Sequence, residues 1–303
     1  MSSLNTLILL LFLTFLTSCN NENGKYIQAK PSWQSYGDGM YRLSMANVLL
    51  EVDSNTGGRI ITLAIDDFNL LTGPEIDSIN YGSTLWLSPQ KLWYWPPPVA
   101  LDRSQYQVLG SGDTLCMQSQ VDEKFGVSFR KEMIPTAQDT SILINYTIQN
   151  NTQGLQNYAI WEVTRMLKDS KVYFSLEEDT TLRSIREPFW QTNDARIEVP
   201  VTSEDTLNNK MYANGKGWLI YHKDSLALIK TFPDLNSQQM PPSHNEVEVY
   251  IAKTPYQEVE QHSAYVQLLP GEEYLWQVRW YPRKVSNDNE LQRWIQQLEN
   301  RTY

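Results

Sequence analysis

Histidine and cysteine are scarce, at three and two in 303 residues. So few of them offer neither a disulfide framework nor a run with metal-ligand spacing. Cys116 lies in the alternating run Leu115-Cys116-Met117-Gln118 and reads as a thiol in or near the core. No long basic run occurs, and the net charge is −10. Nucleic acid is therefore not an expected partner. Phosphate-loop spacing, a Ser-His-Asp arrangement, an internal repeat and an interdomain linker are all lacking. No cofactor and no metal are expected. Asp66-Asp67 alone reads as a turn, and only Ca²⁺ on scattered carboxylates stays open.

Long apolar runs are also lacking beyond the first residues. Leu7 to Leu16 is too short to span a bilayer but suits the core of a signal peptide. It ends in Leu16-Thr17-Ser18-Cys19, which resembles a bacterial lipobox, although the leading MSSLNT carries no Lys or Arg. Residues 1–18 are thus expected to be a lipoprotein signal, with Cys19 lipidated and residues 19–30 a polar tether. Residues 31–303 are expected to be one domain. A lipid anchor on Cys19 implies a cell-envelope protein held to the membrane, at the outer membrane or the periplasmic face.

Aromatics are plentiful, with 10 Trp and 17 Tyr. The densest stretch is Asn80 to Asp102, NYGSTLWLSPQKLWYWPPPVALD, with Trp86, Trp93, Tyr94 and Trp95 ahead of Pro96-Pro97-Pro98. Proline lacks an N–H and fixes φ, so the stretch is expected to be an ordered loop or an edge rather than a central strand. Its rings either cap a β core or present flat faces to a sugar.

Elsewhere strand patterns dominate. Tyr41 to Val52 reads as one strand. Asp53-Ser54-Asn55-Thr56-Gly57-Gly58 is a turn, and Arg59 to Ile65 returns. Phe125 to Ile134 alternates, with Val127, Phe129, Lys131 and Met133 on one side. Ser141 to Ile148 and Asn157 to Leu167 follow. The latter carries Trp161 with Arg165 on one face and Glu162 with Thr164 on the other. Residues 169–210 read as strands with long loops. Strands resume at Gly217 to His222, Leu226 to Phe232, Glu246 to Ala252, Tyr256 to His262 and Glu273 to Tyr281. Asn287 with Glu290 resembles a capping box, after which Leu291, Trp294, Ile295 and Leu298 make a helical stripe. The fold class is all-β, a large antiparallel sandwich with a C-terminal helix.

The order strand, Gly-Gly-Arg-Ile, strand, then SILINYTIQNNT, then LLPGEEYLWQVRWYP resembles the galactose mutarotase-like (aldose 1-epimerase-like) β-supersandwich. GSTLWLSPQKLWYWPPP with WEVTR resembles a bacterial branch of that superfamily, the DUF4380 domain. The resemblance covers roughly residues 40–282. It implies sugar binding on one face of a large sheet, with a Glu base from a late strand and a His acid. The late strand is best matched by YQEVEQHS, where alternation puts Tyr256, Glu258, Glu260 and His262 on one face. Glu260 is the first choice for the base and Glu258 the second. The family's His position is filled by WEVTR, which has no His. His244, in a loop after Pro241-Pro242, is the replacement that could reach the mouth of the site.

The remaining ligand contacts are expected from Trp86, Trp95 and Trp161, with Gln90 and Asp102 reaching sugar hydroxyls or else capping turns. Arg165 and Lys230 interrupt apolar alternation. They either bind an acidic sugar or pair with Glu258, Glu260 and Glu162 in a structural network. Trp86, Trp95, Arg165 and Glu260 are expected to converge on one pocket. The expected partner is a mono- or oligosaccharide. Two functions compete: a sugar epimerase or related carbohydrate-active enzyme, and a non-catalytic glycan-binding lipoprotein. A purely structural envelope module is favoured only if the Trp-Pro loop is fully buried.

Overall fold

The computed structural model describes residues 30–178, 180 and 182–301. The proposed signal, Cys19 and most of the tether lie outside them.

Two antiparallel sheets form the body. One is 12-stranded and runs from the edge Gln34–Gly37 through Met40–Met45, Val48–Asp53, Arg59–Ile65, Ser83–Ser88, Gln156–Leu167, Tyr256–His262, Val247–Ile251 and Asn209–Ala213 to Arg183–Ser184. The other is 10-stranded, with Trp218–Lys223, Leu226–Thr231, Glu273–Lys284, Ser141–Asn150 and Val127–Thr136 at its centre. Period-2 alternation explains the sandwich. Leu85, Leu87, Ile160, Met166, Val247, Val249 and Val259 of the first sheet point inward. They meet Phe129, Ile144, Tyr146, Leu228 and Val278 of the second. Helix Asp288–Glu299 lays Leu291, Ile295 and Leu298 on the outer face of the second sheet, against Trp218, Ile220 and Ile229. Its cap, Asn287, accepts from the Glu290 N–H, satisfying a donor that the helix itself leaves open.

Two expectations fail here. Tyr41 to Val52 is a hairpin, not one strand, and it turns at Ala46, whose φ is 52°. The turn is Ala46-Asn47, and Asn47 is its one turn-favouring residue, too slight a signal within a run of strand formers. The Trp-Pro stretch is not all loop or edge either. Its first part, Ser83–Ser88, is a fully buried strand inside the first sheet, paired with Gln156–Leu167. Proline does not break it because the strand ends before Pro89. The rest is a 3₁₀ turn, Gln90–Leu92, and a short helix, Val99–Asp102.

Charges inside the body are paired or bonded. Lys230 meets Glu162 at 2.5 Å and Thr164 at 2.6 Å between the sheets, and Tyr146 Oη donates to Glu162 at 2.8 Å. Lys131 donates to the carbonyls of Gly57 and Gly58 at 2.7 and 3.0 Å. Both glycines have positive φ, 68° and 55°, which turns their carbonyls to the ammonium. A Cβ on Gly57 would meet the Asp102 carbonyl at 2.0 Å.

Burial, aided by the neighbouring Arg59, pulls the Lys131 ammonium down to about 7. Above that value the folded chain holds fewer protons here than the unfolded one, whose lysine titrates near 10.5. Stability therefore rises with pH. Between pH 7 and pH 9 the gain is about 2 kcal/mol relative to Lys131→Met, which lacks the titrating group. Urea unfolding of both proteins at the two pH values measures it.

Candidate functional site

The outward face of the first sheet carries the site, and strand register builds it. Trp161 stands directly opposite Trp86 on one side and His262 on the other. The next row joins Val163, Glu260, Glu248 and Tyr212. A third joins Arg165, Glu258, Tyr250 and Lys210. Side chains in such rows are near neighbours, so residues far apart in sequence form one surface.

Above these rows lies a cavity of about 380 Å³. Trp86, Trp95, Trp161, Tyr212, Tyr250 and Tyr256 form its aromatic walls, and Asn80, Gln90, Ile185, Lys210 and Glu258 complete it. Trp86 is held edge-on to Trp161 (5.0 Å) and to Trp95 (6.0 Å). Its indole N–H donates to Asp102 at 2.7 Å, and Asp102 also faces Arg59 at 3.5 Å. Trp95 is 54% exposed, so its outer face is open to solvent. A larger cavity, about 580 Å³, lies at the far edge between Asp38, Tyr41, Gln105 and Gln118. It has no such cluster of rings and charges.

Beneath the cavity the charges interlock. Lys210 Nζ lies 2.6 Å from Glu248 Oε2 and 2.7 Å from Glu260 Oε2, over the Trp161 ring at 4.8 Å. The Trp161 N–H also donates to Glu260 Oε2, at 2.8 Å. Burial opposes the charge on Lys210, but the pull of Glu248 and Glu260 outweighs it and raises the ammonium above its ordinary value. The two acids diverge. Burial pushes Glu260 well above the usual carboxylate range, Lys210 offsets only part of this, and repulsion from Glu248 adds to it. Glu248 is buried too, yet Lys210, His262 and a bond from His244 hold it well below that range. Arg165 Nε approaches Glu258 Oε1 at 2.9 Å. None of the Arg165 nitrogens makes an aligned hydrogen bond, so this contact is ionic rather than a fork.

The expected residues are therefore sorted by the fold. Trp86, Gln90, Trp95, Trp161 and Glu258 line the cavity. Arg165 and Glu260 lie on the same face but below the lining, both essentially without solvent exposure. They do not reach the cavity as expected. Asp102 sits behind Trp86 as its acceptor rather than among the hydroxyl-binding groups. Lys230 is misplaced altogether: it faces the inter-sheet core, on the opposite side of the first sheet, with Glu162. The network expected to join Arg165 and Lys230 is two separate pairs, because Arg165 and Glu162 alternate to opposite faces. His244 does not stand at the mouth. Its Nδ1 lies 3.0 Å from Glu248, its Nε2 accepts from the Gln90 N–H at 3.2 Å, and its ring is 5.0 Å from Trp161.

Lys210, Tyr212, Glu248, Tyr250 and Asn80 were not expected. Glu248 and Tyr250 share a face in the strand Val247–Ile251, so alternation offered a signal, but nothing local marked that face as the outer one. The expected absence of a His cluster is also corrected. His244 and His262 come together around Glu248 because the loop after Pro241-Pro242 folds back beside the strand Tyr256–His262.

This architecture is that of galactose mutarotase-like sandwiches. A galactose mutarotase-like protein from Lactobacillus casei shares 10% identity at a TM-score of 0.57, over 81% of this chain and 100% of the other. A galactose mutarotase related enzyme from Lactobacillus acidophilus shares 10% at 0.56, over 82% and 98%. A TPR-domain containing protein from Parabacteroides distasonis shares 12% at 0.60, over 80% of this chain but 46% of its own length. This chain thus spans about half of that longer protein. Among curated proteins no sequence matches. Within the class the chain belongs to the DUF4380 family, described as a domain of unknown function, which it matches over residues 80–282.

Removing the Lys210 cation leaves two buried carboxylates facing each other. Lys210→Met is expected to cost about 3–5 kcal/mol, the usual loss when one partner of a buried ionic group is deleted. Urea unfolding at neutral pH checks it.

Proposed function

We propose that this protein binds a mono- or oligosaccharide in the Trp86–Trp95–Trp161 cavity and is carried on the bacterial cell envelope by a lipid on Cys19. The observation that carries the proposal is the cavity wall itself. It combines aromatic faces with a few polar groups, Asn80, Gln90, Glu258 and Lys210, in a volume usual for small-ligand sites. Flat rings cover the C–H faces of a sugar, and the polar groups take its hydroxyls. The mutarotase-like class supports a carbohydrate ligand by analogy of fold alone. Among the described residues no helix is long and apolar enough to cross a membrane.

Binding is favoured over epimerase chemistry by the state of Glu260. Burial favours its protonated form, and Trp161 and Lys210 occupy the same oxygen. A base must be ionised and within reach of the proton it takes. The second choice, Glu258, reaches the cavity but lies against Arg165.

Calorimetry with neutral and uronic sugars, beside anomeric exchange followed by NMR, tests the proposal. Wild type and Glu260→Gln are expected to bind without accelerating exchange. Trp95→Ala is expected to weaken binding about tenfold, roughly 1.4 kcal/mol, with stability unchanged within about 0.5 kcal/mol. Failure of every sugar to bind overturns the proposal. Exchange that is catalysed by wild type and lost in Glu260→Gln establishes the enzyme instead.

A further inference from the structure

We propose that His244, Glu248 and His262 form a binding site for a divalent transition-metal ion of the zinc or cobalt type. The proposal does not rest on the sugar reading, although the site lies beside the same cavity through Gln90 and Trp161. One ligand atom from each residue lies within 4.8 Å of the others. His244 Nδ1 is 3.0 Å, and His262 Nε2 is 3.4 Å, from the same oxygen, Glu248 Oε1. Ligands bonded at about 2.1 Å to a tetrahedral ion lie about 3.4 Å apart, so the two imidazole–carboxylate spacings suit a ligand set, and the set as a whole closes from its 4.8 Å span on binding. Two imidazoles and a carboxylate select a borderline transition ion rather than Ca²⁺ or Mg²⁺, which take oxygen shells.

His262 supplies the second observation. It is fully buried and points at Glu248, yet neither ring nitrogen makes an aligned hydrogen bond, the Nε2–Glu248 contact being a long 3.4 Å. Buried polar groups are seldom left so. A metal on Nε2 provides the missing partner.

The neighbours adjust in defined ways. Lys210 sits on Glu248 Oε2, so the ion takes Oε1, which keeps a lone pair beside the one that accepts the Asn245 N–H at 3.0 Å. His244 must move its ring proton. With Nδ1 on a metal the proton occupies Nε2, where the Gln90 N–H now donates at 3.2 Å. Two donors cannot share that bond. Metal binding therefore breaks it and resettles the turn Gln90–Leu92 beside Trp93. Trp161 is stacked on His262, with centroids 4.9 Å apart, and should sense the ion directly.

The experiment uses the full chain, stripped with a chelator and titrated with Co²⁺ near neutral pH, followed by Zn²⁺ competition. One equivalent of Co²⁺ is expected to give ligand-field bands and quench tryptophan fluorescence, and Zn²⁺ should erase the bands. His262→Phe, which keeps the stacked ring, is expected to weaken uptake at least a hundredfold while near-ultraviolet dichroism reports a folded protein. His244→Gln serves the same purpose if that variant does not fold. Lack of stoichiometric uptake by wild type overturns the proposal, as does uptake unchanged in either folded variant.

Discussion

The Lys210 ammonium, set between Glu248 and Glu260 and capped by Trp161, is the constraint on which the site face depends. Ions taken out of water are tolerable only when paired and hydrogen-bonded. Lys210 satisfies that requirement for both acids at once. It also fixes Glu260, which in turn anchors the Trp161 indole and hence the aromatic row with Trp86 and His262. Rings held this way keep one orientation before any ligand arrives, which reduces the entropy lost on binding.

The same arrangement separates the three site carboxylates into different roles. Glu248 stays ionised, with a cation and two imidazoles around it. Glu260, on the adjacent strand and directly opposite, is driven toward its protonated form. Glu258 alone reaches the cavity wall. Alternation within one strand gives Glu258 and Glu260 the same face, but their depth below the surface decides which can touch a ligand. A functional role for Glu260 is thus one of holding Trp161 and Lys210 in place.

The Trp-Pro stretch shows how one segment serves both layers of the protein. Its strand half contributes Leu85 and Leu87 to the inter-sheet core and Trp86 to the outer face. Its irregular half returns over that face to place Trp95 and Gln90 at the cavity. Asp102, at the end of the stretch, comes back to accept the Trp86 N–H. The 3₁₀ turn after Pro89 leaves the Gln90 N–H without an internal acceptor, and His244 takes it. The aromatic loop is tied to the charged floor through that bond.

Much of the fold was legible because local rules and tertiary structure agree. Alternation in Tyr256–His262 correctly grouped Glu258, Glu260 and His262, and the turn read at Asp53 to Gly58 is there, its two glycines at positive φ. The C-terminal helix follows its cap and its apolar stripe. Alternation says which residues share a face, but not which face is buried, nor which strands are neighbours. Lys230 and Arg165 look alike in sequence and end on opposite sides of the first sheet, because Lys230 points inward from the second sheet while Arg165 points outward from the first. Lys210, Glu248 and His262 lie on strands whose pairing is non-local, and His244 on a loop folded beside them. By itself the sequence determined most of the strands, which residues share a face in them, and the sandwich class, since each depends on side-chain period and turn chemistry; the reversal at Ala46 and the central strand Ser83–Ser88 escaped it. Only the tertiary structure decided the site, because cross-strand register sets which charges meet and burial depth sets which of them a ligand can reach.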